Sequence, residues 1–205
     1  LMEWNEDNFD IERLQYTQEA YAVGKYAFVS DVARIEALYQ YGGFYMDTDV
    51  EVLKSFNPLL EAQCILGMEE KEYVATSFMA FEKGHPLVKE FLNLYEQLSF
   101  LDKKGQIIAG TNVAKLTKML KEKGFVQENH YQELENGIQI YPKEFFSPYD
   151  YINCHYNITE NSYCVHHFAV SWMSKKEQVK KGIKKRIVKI LGPEKMNGIR
   201  EKLKR

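Results

Sequence analysis

The sequence contains few cysteines and no long hydrophobic run. Its three cysteines, Cys64, Cys154 and Cys164, are odd in number and widely spaced, which excludes a disulfide framework and a CxxC metal pair. Unpaired buried thiols are typical of a reducing compartment, so this set predicts a cytoplasmic protein. No stretch of about 18 apolar residues is present, and the first residues lack the basic and apolar parts of a signal peptide. The sequence therefore predicts neither a membrane-spanning helix nor a leader.

Repeats and low-complexity segments are also missing, and the composition is that of an ordinary globular protein. Hydrophobic residues make up 45% and charged residues 27% of the 205 residues, which excludes a collagen, a coiled coil and a disordered chain. The net charge of −2 is unevenly distributed. Residues 175–205 contain 13 Lys and Arg but 3 Asp and Glu, so they carry +10 and residues 1–174 carry −12. We therefore predict one acidic domain over residues 1–174 and a basic tail over residues 175–205.

Helical and strand patterns alternate in the first part of the chain. Ser30-Asp31 is typical of a helix start, because either side chain can accept from the first unpaired N–H groups of a helix. Apolar residues at helical spacing then predict a helix over residues 32–41, which Gly42-Gly43 ends. The apolar run Phe44–Met46 predicts a buried strand directly after the glycines.

The same patterns predict further elements along the chain. Strands are expected at Val50–Leu53, Cys64–Gly67, Phe78–Phe81, Ile138–Tyr141 and Tyr163–Val170. Helices are expected at Gln18–Tyr26, Leu87–Leu98, Val113–Glu122 and in the basic tail. Strands that alternate with helices in this way indicate an α/β fold.

Asp47-Thr48-Asp49 follows the strand predicted at Phe44–Met46. In an extended chain, residues i and i+2 face the same way, so the two carboxylates can converge on one point. At the carboxyl end of a strand, that point lies in the crevice where α/β sheets bind ligands. Hard carboxylate oxygens suit Mg²⁺ or Mn²⁺, which are commonly shared with substrate phosphates. Most such pairs are solvated loop carboxylates, but the preceding glycines and strand favour a ligand site here.

Asp31 and Arg34 lie three residues apart near the predicted helix start, which places them on one helical face. One interpretation is structural: an N-cap aspartate paired with an arginine. The other is a polar clamp for a hydroxylated substrate, with several arginine donors and a carboxylate acceptor. The residues alone leave both interpretations open.

Three motifs at fixed spacing resemble one enzyme family. They are S-D-x-x-R at Ser30–Arg34, Y-G-G-x-Y at Tyr41–Tyr45 and D-x-D at Asp47–Asp49, and weaker matches continue to the segment His166–Trp172. The combination is similar to the sugar-binding region of glycosyltransferases with a DXD motif. This GT-A group includes initiating mannosyltransferases, bacterial capsule and lipooligosaccharide transferases, and the glucosylating clostridial toxins. The resemblance covers most of residues 1–172.

The resemblance implies a GT-A-like fold, in which a Rossmann-type mixed sheet is flanked by helices. It also implies a metal-dependent, retaining hexosyltransferase that uses Mn²⁺ or Mg²⁺. The enzyme would move a sugar from a UDP- or GDP-sugar donor to a glycan or lipid-linked acceptor in surface (capsular) polysaccharide synthesis. Family members normally begin with a strand that reaches the nucleotide base, before the stretch matched by Trp4-Asn5. This sequence starts at Leu1 without that strand, so we expect part of the base pocket to be missing from it.

The resemblance further implies roles for individual residues. The expected metal ligands are Asp47, Asp49 and His167. The residues expected at the donor sugar are Asp31, Arg34, Asp47 and Asn112, and those expected at the nucleotide and diphosphate are Tyr45, Ser171 and Trp172. No catalytic nucleophile or base is assigned, because retaining enzymes of this family have no agreed one.

Ordinary structural roles stay open for some of these residues. Asn112 lies at a predicted helix start and could be a plain helix cap, and Trp172 could be a core aromatic residue. Adjacent residues of a strand face opposite ways, so only one of His166 and His167 can point at the metal. The position relative to Trp172 favours His167.

The basic tail carries an apolar stripe. Val179, Ile183, Ile187, Ile190 and Leu191 recur every three to four residues among lysines and arginines. Such a helix can lie peripherally on the anionic inner face of a membrane, and we favour this over a solvated helix that covers an edge of the domain. Nucleic acid is not expected as a partner, because the acidic body would be repelled.

Two other functions compete with a glycosyltransferase. An apolar strand that ends in D-x-D is also the first strand of phosphohydrolases with an aspartyl nucleophile. Asp31 and Arg34 would have no role in such an enzyme. A degenerate sugar-binding module without activity is the other. A glycosidase is disfavoured, because carboxylates two residues apart on one strand do not flank a bond at the roughly 5–9 Å separations that glycosidases use.

Overall fold

The computed structural model describes residues 5–70, 72–150, 153–169, 175–192 and 195, so Trp4, Val170, Ser171 and Trp172 lie outside the described residues. Helices occur at Gln15–Ala22 (α1), Tyr26–Tyr41 (α2), Pro86–Glu96 (α3), Asn112–Glu122 (α4), Lys143–Phe146 (α5) and Lys175–Leu191 (α6), with short 3-10 helices at Ile11–Arg13 and Asn57–Leu59. Strands occur at Gly43–Met46 (β1), Val50–Val52 (β2), Cys64–Glu70 (β3), Tyr73–Val74 (β4), Phe78–Phe81 (β5), Gln132–Leu134 (β6), Ile138–Tyr141 (β7), Tyr149–Asp150 (β8), His155–Tyr156 (β9) and Cys164–His166 (β10). The predicted alternation is confirmed, although α1 lies upstream of the predicted Gln18–Tyr26 because Gly24, with a φ of 68°, follows it and breaks the helix.

A six-stranded sheet forms the centre of the protein, in the order β1-β5-β3-β7-β6 with β4 paired to β3. β3 and β7 are parallel, and the other pairs of this sheet are antiparallel. The expected mixed sheet flanked by helices is therefore confirmed, and antiparallel pairs predominate in its described part. β2 pairs with β10 and β8 pairs with β9 in separate two-stranded sheets.

Both faces of the sheet are buried, which explains the unbroken apolar sequence of β5. Phe78 and Ala80 belong to one buried cluster, which also contains Phe146, whereas Met79 and Phe81 belong to the cluster that contains the apolar side chains of α1 to α4. Each fully buried phenylalanine or methionine stabilises the fold by about 1.5–3 kcal/mol. This packing holds α2 beside β1 and β5 and so positions the candidate site.

Helix α2 begins at Tyr26, about one turn before the predicted start at Ser30-Asp31. Its N-cap residue makes no side-chain hydrogen bond. The buried Val29 extends the apolar face of Val32 upstream, so packing and not capping sets this end of the helix. Asp31 therefore lies inside the helix, and its carboxylate is available for tertiary contacts.

Strand β1 is half-buried and not fully buried as predicted. Within the described residues it pairs with β5 alone and forms an edge of the sheet. Phe44 and Met46 pack against one apolar cluster and Tyr45 against the other, which accounts for the apolar run.

The helix predicted for the basic tail is present as α6. Val179, Ile183, Ile187 and Ile190 are exposed on it, whereas Val188 is buried. None of the described helices is both long enough and apolar enough to cross a membrane.

Candidate active site

Gly42 turns the chain from α2 into β1. Its φ of 69° and ψ of −163° fall in a region that essentially only glycine adopts. A Cβ on Gly42 would also lie 2.7 Å from Lys83 N and 2.9 Å from Phe81 O, so a side chain has no room. β1 then runs antiparallel to β5, and the Asp47 N–H donates to Ser77 O over 2.9 Å. This bond fixes Asp47 at the end of β1, next to the start of β5.

Arg34 is the centre of the first part of the site. Its Nη2 lies 3.1 Å from Asp31 Oδ1, and its Nη1 lies 2.9 Å from Asp47 Oδ1. Nη1 also donates to the backbone oxygen of Thr76 over 3.0 Å, and the Arg34 side chain is only 9% exposed. Because the ion pairs are largely shielded from water, removing either carboxylate would leave a buried positive charge poorly paired. Arg34 thus links α2 to the D-x-D segment.

Tyr45 completes the environment of Asp47, on the same face of β1. Its ring lies against the Arg34 guanidinium, with 4.7 Å between Cζ and the ring centroid. Its hydroxyl donates to Asp47 Oδ1 over 2.7 Å. Oδ1 therefore accepts from both neighbours, and no described residue donates to Oδ2 of the same carboxylate.

Asn112 joins the site from helix α4. Its Nδ2 donates to Asp31 Oδ1 over 2.7 Å, and its Oδ1 accepts from the Thr76 hydroxyl over 3.0 Å. Asn112 is buried and is not the helix cap, because that role belongs to Thr111, whose hydroxyl accepts from Ala114 N. Asn112 is therefore part of a buried polar network that orients Asp31.

The charge state of Asp31 depends on this environment. Burial raises the pKa of Asp31 to about 6, although the Arg34 guanidinium lowers it and the Asp47 carboxylate raises it again. Arg34 and Asn112 both contact Oδ1 of this carboxylate, so they use at most two of its four lone-pair sites. The carboxylate therefore retains acceptor capacity for a hydroxyl.

Asp49 and His166 form the second part of the site. His166 Nε2 lies 3.2 Å from Asp49 Oδ1, and the Ala169 N–H donates to Asp49 Oδ2 over 2.7 Å. Ligand atoms of Asp47, Asp49 and His166 all lie within 4.8 Å of one another. Burial lowers the pKa of His166, and the Asp49 carboxylate opposes this only in part. The imidazole is therefore neutral at neutral pH and keeps a lone pair for a metal.

His167 does not join this group, in contrast to its predicted placement. Strand β10 ends at His166, opposite Val50 of β2, and the next side chain points to the other side. His167 Nε2 lies 2.9 Å from Glu51 Oε2, and its Nδ1 lies 2.9 Å from the Tyr156 hydroxyl oxygen. The resemblance predicted His167, whereas the structure turns the ring of the preceding His166 toward the aspartates.

The Asp47–Asp49–His166 group has the chemistry of a divalent-metal site. Two carboxylates and one neutral imidazole suit Mn²⁺, and the carboxylates also suit Mg²⁺. Asp31, Asp47 and Asp49 together carry more negative charge than Arg34 offsets, which favours a cation. The residues present therefore fit a divalent metal.

Some of the participants were not predicted, and others are not described. Ser171 and Trp172, predicted at the diphosphate, lie outside the described residues. Thr76, which bonds to Arg34 and to Asn112, has no local motif that could have marked it. Glu51, two residues after the D-x-D motif, contacts His167, and no local signal marked that contact.

Comparison with known proteins identifies the part of the chain that holds most of these residues. Residues 1–66 match the family described as "Glycosyltransferase sugar-binding region containing DXD motif". This segment is similar to the DXD region of glycosyltransferases. It contains Asp31, Arg34 and the D-x-D pair, and the predicted resemblance to DXD glycosyltransferases is thereby confirmed.

Named glycosyltransferases also occur among the proteins that this chain resembles. The chain is 31% identical to lactosylceramide 4-alpha-galactosyltransferase of Mus musculus over 125 residues, which are 61% of this chain and 33% of that protein. It is 30% identical to the Homo sapiens protein of the same name over 121 residues, which are 58% of this chain and 32% of that protein. It is 31% identical to inositol phosphoceramide mannosyltransferase 3 of Schizosaccharomyces pombe over 71 residues, which are 35% of this chain and 20% of that protein. The chain thus spans about a third or less of the length of these relatives, and no solved structure matches it.

Proposed function

We propose that the chain contains the donor-binding and metal-binding site of a retaining glycosyltransferase that transfers a hexose from a nucleotide sugar. The observation that carries the proposal is the position of Arg34, which pairs with Asp31 on one side and Asp47 on the other. Arg34 joins hydroxyl-binding side chains to metal-binding side chains. A nucleotide sugar presents the same two chemistries next to each other, a sugar and a diphosphate with its metal. The proposal includes a GT-A-like domain over residues 1–174 and a separate tail over residues 175–205.

Asp47, Asp49 and His166 would hold the metal, which is Mn²⁺ or Mg²⁺. When bound, such an ion neutralises charge on the leaving diphosphate. The carboxylates are held ready for it, because Arg34 and Tyr45 both contact Asp47, and a backbone N–H donates to Asp49. Ligands oriented by such bonds need little reorganisation when the ion arrives.

Asp31, Asn112 and Arg34 would bind hydroxyls of the donor sugar. The bond of 2.7 Å between Asn112 Nδ2 and Asp31 Oδ1 orients both side chains before the sugar arrives. A buried site of this kind discriminates strongly against a ligand that lacks the matching hydroxyl, since its polar groups would be left unpaired. Tyr45 lines this pocket while it holds the first aspartate, and the roles of Ser171 and Trp172 at the diphosphate remain part of the proposal.

We extend the proposal to a lipid-linked acceptor. The names of two similar proteins specify lactosylceramide and inositol phosphoceramide, and both contain a ceramide lipid. A glycan acceptor in surface polysaccharide synthesis is the other class that the sequence resemblance implies. The predicted cytoplasmic location stays a prediction, supported by the unpaired, buried Cys64 and Cys164.

We also propose that α6 lies on an anionic membrane surface, where a lipid-linked acceptor would be found. The exposed side chains Val179, Ile183, Ile187 and Ile190 recur at helical spacing in a segment with a net charge of +10. The apolar side chains would enter the interface, and the surrounding lysines and arginines would attract anionic headgroups.

A phosphohydrolase is not favoured. Such an enzyme would use Asp47 as its nucleophile, and the ion pair between Arg34 and Asp31 beside it would have no role. The buried Asn112–Asp31 pair would also have no role in it.

The test is a donor screen with the full chain. UDP- and GDP-linked hexoses are incubated with Mn²⁺, and the release of nucleoside diphosphate is measured with and without EDTA. We expect Mn²⁺-dependent turnover of one donor, which rises when a ceramide-linked sugar is added. Equal turnover in EDTA, or hydrolysis of simple phosphate esters instead, would contradict the proposal. Donor binding without turnover would indicate the non-catalytic module.

A further inference from the structure

Three side chains beside the metal site form a hydrogen-bonded chain. Glu51 lies on β2, Tyr156 on β9 and His167 directly after β10. The His167 ring lies between the other two, with 2.9 Å from Nε2 to Glu51 Oε2 and 2.9 Å from Nδ1 to the Tyr156 hydroxyl oxygen. The hydrogen bonds between these three side chains therefore link β2, β9 and the end of β10.

For a neutral His167 ring, the chemistry of the partners gives the direction of both hydrogen bonds. An ionised carboxylate only accepts, so His167 donates its Nε2–H to Glu51. The other nitrogen of a neutral imidazole only accepts, so the Tyr156 hydroxyl donates to Nδ1. Both ring nitrogens are then engaged, and a protonated ring would equally lack a free lone pair. In this arrangement His167 has nothing to offer a metal.

The backbone next to His167 wraps around Asp49. The His167 N–H donates to Asp49 O over 3.0 Å, and the Ala169 N–H donates to Asp49 Oδ2 over 2.7 Å. Between them Phe168 has a φ of 50°, a left-handed conformation that is unfavourable for a non-glycine residue. The Phe168 and His166 ring centroids are 4.0 Å apart. The turn is thus anchored at both ends on Asp49.

We propose that Glu51, His167 and Tyr156 are positioning residues for the metal site. They hold His167 on the outer side of the turn. Because neighbouring side chains of an extended chain alternate, this turns His166 toward Asp49. The inference rests on the proposed function, since it presupposes that Asp49 and His166 bind the metal. The inference assigns metal binding to His166 and a supporting role to His167.

The competing arrangement makes His167 itself the ligand. His167 would then have to release Glu51 or Tyr156, and the end of β10 would have to turn over. The two arrangements respond differently to substitution. The amide of His167→Gln can donate to Glu51 and accept from Tyr156, so this variant preserves both hydrogen bonds. His167→Ala removes both.

The test measures Mn²⁺ binding to the full chain by calorimetry and by the EPR signal of the bound ion, with UDP or GDP present and absent. We expect His166→Ala to abolish binding. Tyr156→Phe and His167→Ala should each weaken it about 10-fold, the lower end of the effect of supporting hydrogen bonds on metal sites. His167→Gln should recover most of the wild-type affinity. Tyr131→Phe is the matched control, since Tyr131 is 44% exposed and Tyr156 is 38% exposed.

Two results would overturn the inference alone. One is loss of Mn²⁺ binding in His167→Ala and His167→Gln alike, with binding retained in His166→Ala. The other is wild-type affinity in Tyr156→Phe. Tyr156→Phe removes a single hydroxyl, so it decides the question even if His167→Ala fails to fold. If the wild type binds no Mn²⁺ with either nucleotide, the metal site of the proposed function is itself rejected, together with the inference.

Discussion

Arg34 Nη1 lies 2.9 Å from Asp47 Oδ1, which joins the interior of helix α2 to the end of strand β1. The contact exists because Gly42 folds β1 back beside the helix that precedes it. Through Asp31 on its other side, Arg34 couples the half of the site proposed to bind the sugar to the half proposed to bind the metal. A change at Arg34 should therefore disturb both halves, whereas a change at Asp31 should disturb one.

Asp49→Ala is expected to abolish Mn²⁺-dependent donor turnover and to leave the fold intact. The Asp49 side chain is 24% exposed, and the role proposed for it is metal binding and not apolar packing. Loss of a metal ligand removes charge stabilisation at the diphosphate, so turnover should fall about 100-fold or more. The measurement is nucleoside diphosphate release over a range of Mn²⁺ concentrations, with Glu133→Ala on β6 as an exposed acidic control. Full turnover of Asp49→Ala at limiting Mn²⁺ would refute the assignment.

Asp31→Asn should weaken binding of the nucleotide sugar but not of the free nucleoside diphosphate. Losing a charge-assisted bond to a hydroxyl costs about 1.5–3 kcal/mol, or about 10- to 150-fold in affinity. Arg34→Lys should weaken both ligands, because Arg34 also pairs with Asp47. Calorimetric isotherms for the two ligands separate these outcomes. Glu36→Gln on the same helix is the control, since Glu36 pairs with Arg13 at the surface. Equal losses of both ligands in Asp31→Asn would mean that Asp31 only supports the fold.

The stability of the metal-free protein should fall as the pH rises from about 4 to about 6, because of Asp31. Burial raises the pKa of Asp31 to about 6 in the folded chain, against about 3.9 in an unfolded one. Between these two pKa values the folded state keeps the proton on Asp31, whereas the unfolded state has lost it. The stabilising contribution of Asp31 is therefore fully present below a pH of about 4 and is lost as the pH rises to about 6. Relative to Asp31→Asn, which does not titrate, the wild type should lose about 1–3 kcal/mol across the window. Urea denaturation of both proteins at a series of pH values checks this, and a constant difference would contradict it.

Gly42→Ala should destabilise the fold more than Gly84→Ala. Both glycines have positive φ angles, 69° and 74°. A Cβ at Gly42 would meet Lys83 N at 2.7 Å, whereas a Cβ at Gly84 would have no atom within 4 Å. We expect a loss of about 2–4 kcal/mol for Gly42→Ala against about 1 kcal/mol for Gly84→Ala. Denaturant midpoints measure both, and equal losses would show that the turn into β1 does not require glycine.

Ile183→Ser combined with Ile187→Ser should weaken binding to anionic vesicles and leave turnover of a soluble acceptor unchanged. Ile183 is 53% exposed and Ile187 is 41% exposed. With about 0.8 kcal/mol for each CH₂ that enters the interface, the pair should reduce binding by at least about 10-fold. Vesicle sedimentation at low and physiological salt measures this, and Leu60→Ser, at a residue 61% exposed, is the control. Unchanged binding would favour a solvated helix at the edge of the domain.

The sequence by itself determined the part of the site that lies between Asp31 and Asp49. Asp31 and Arg34 share a helical face wherever the helix begins, so the wrong start predicted for α2 did not affect their pairing. Tyr45 and Asp47 share a face because an extended chain alternates. These rules act over a few residues, and a local pattern is enough to apply them.

Only the tertiary structure decided the members that come from further along the chain. Asn112 was predicted from a resemblance. Its bond to Asp31, and the hydrogen bond that it accepts from the Thr76 hydroxyl, depend on where α4 and β5 pack. The choice of His166 over His167 depends on how the turn that contains Asp49 meets the end of β10, where the His167 and Ala169 N–H groups both donate to Asp49. These two segments are distant in sequence, so no local pattern contains their contact.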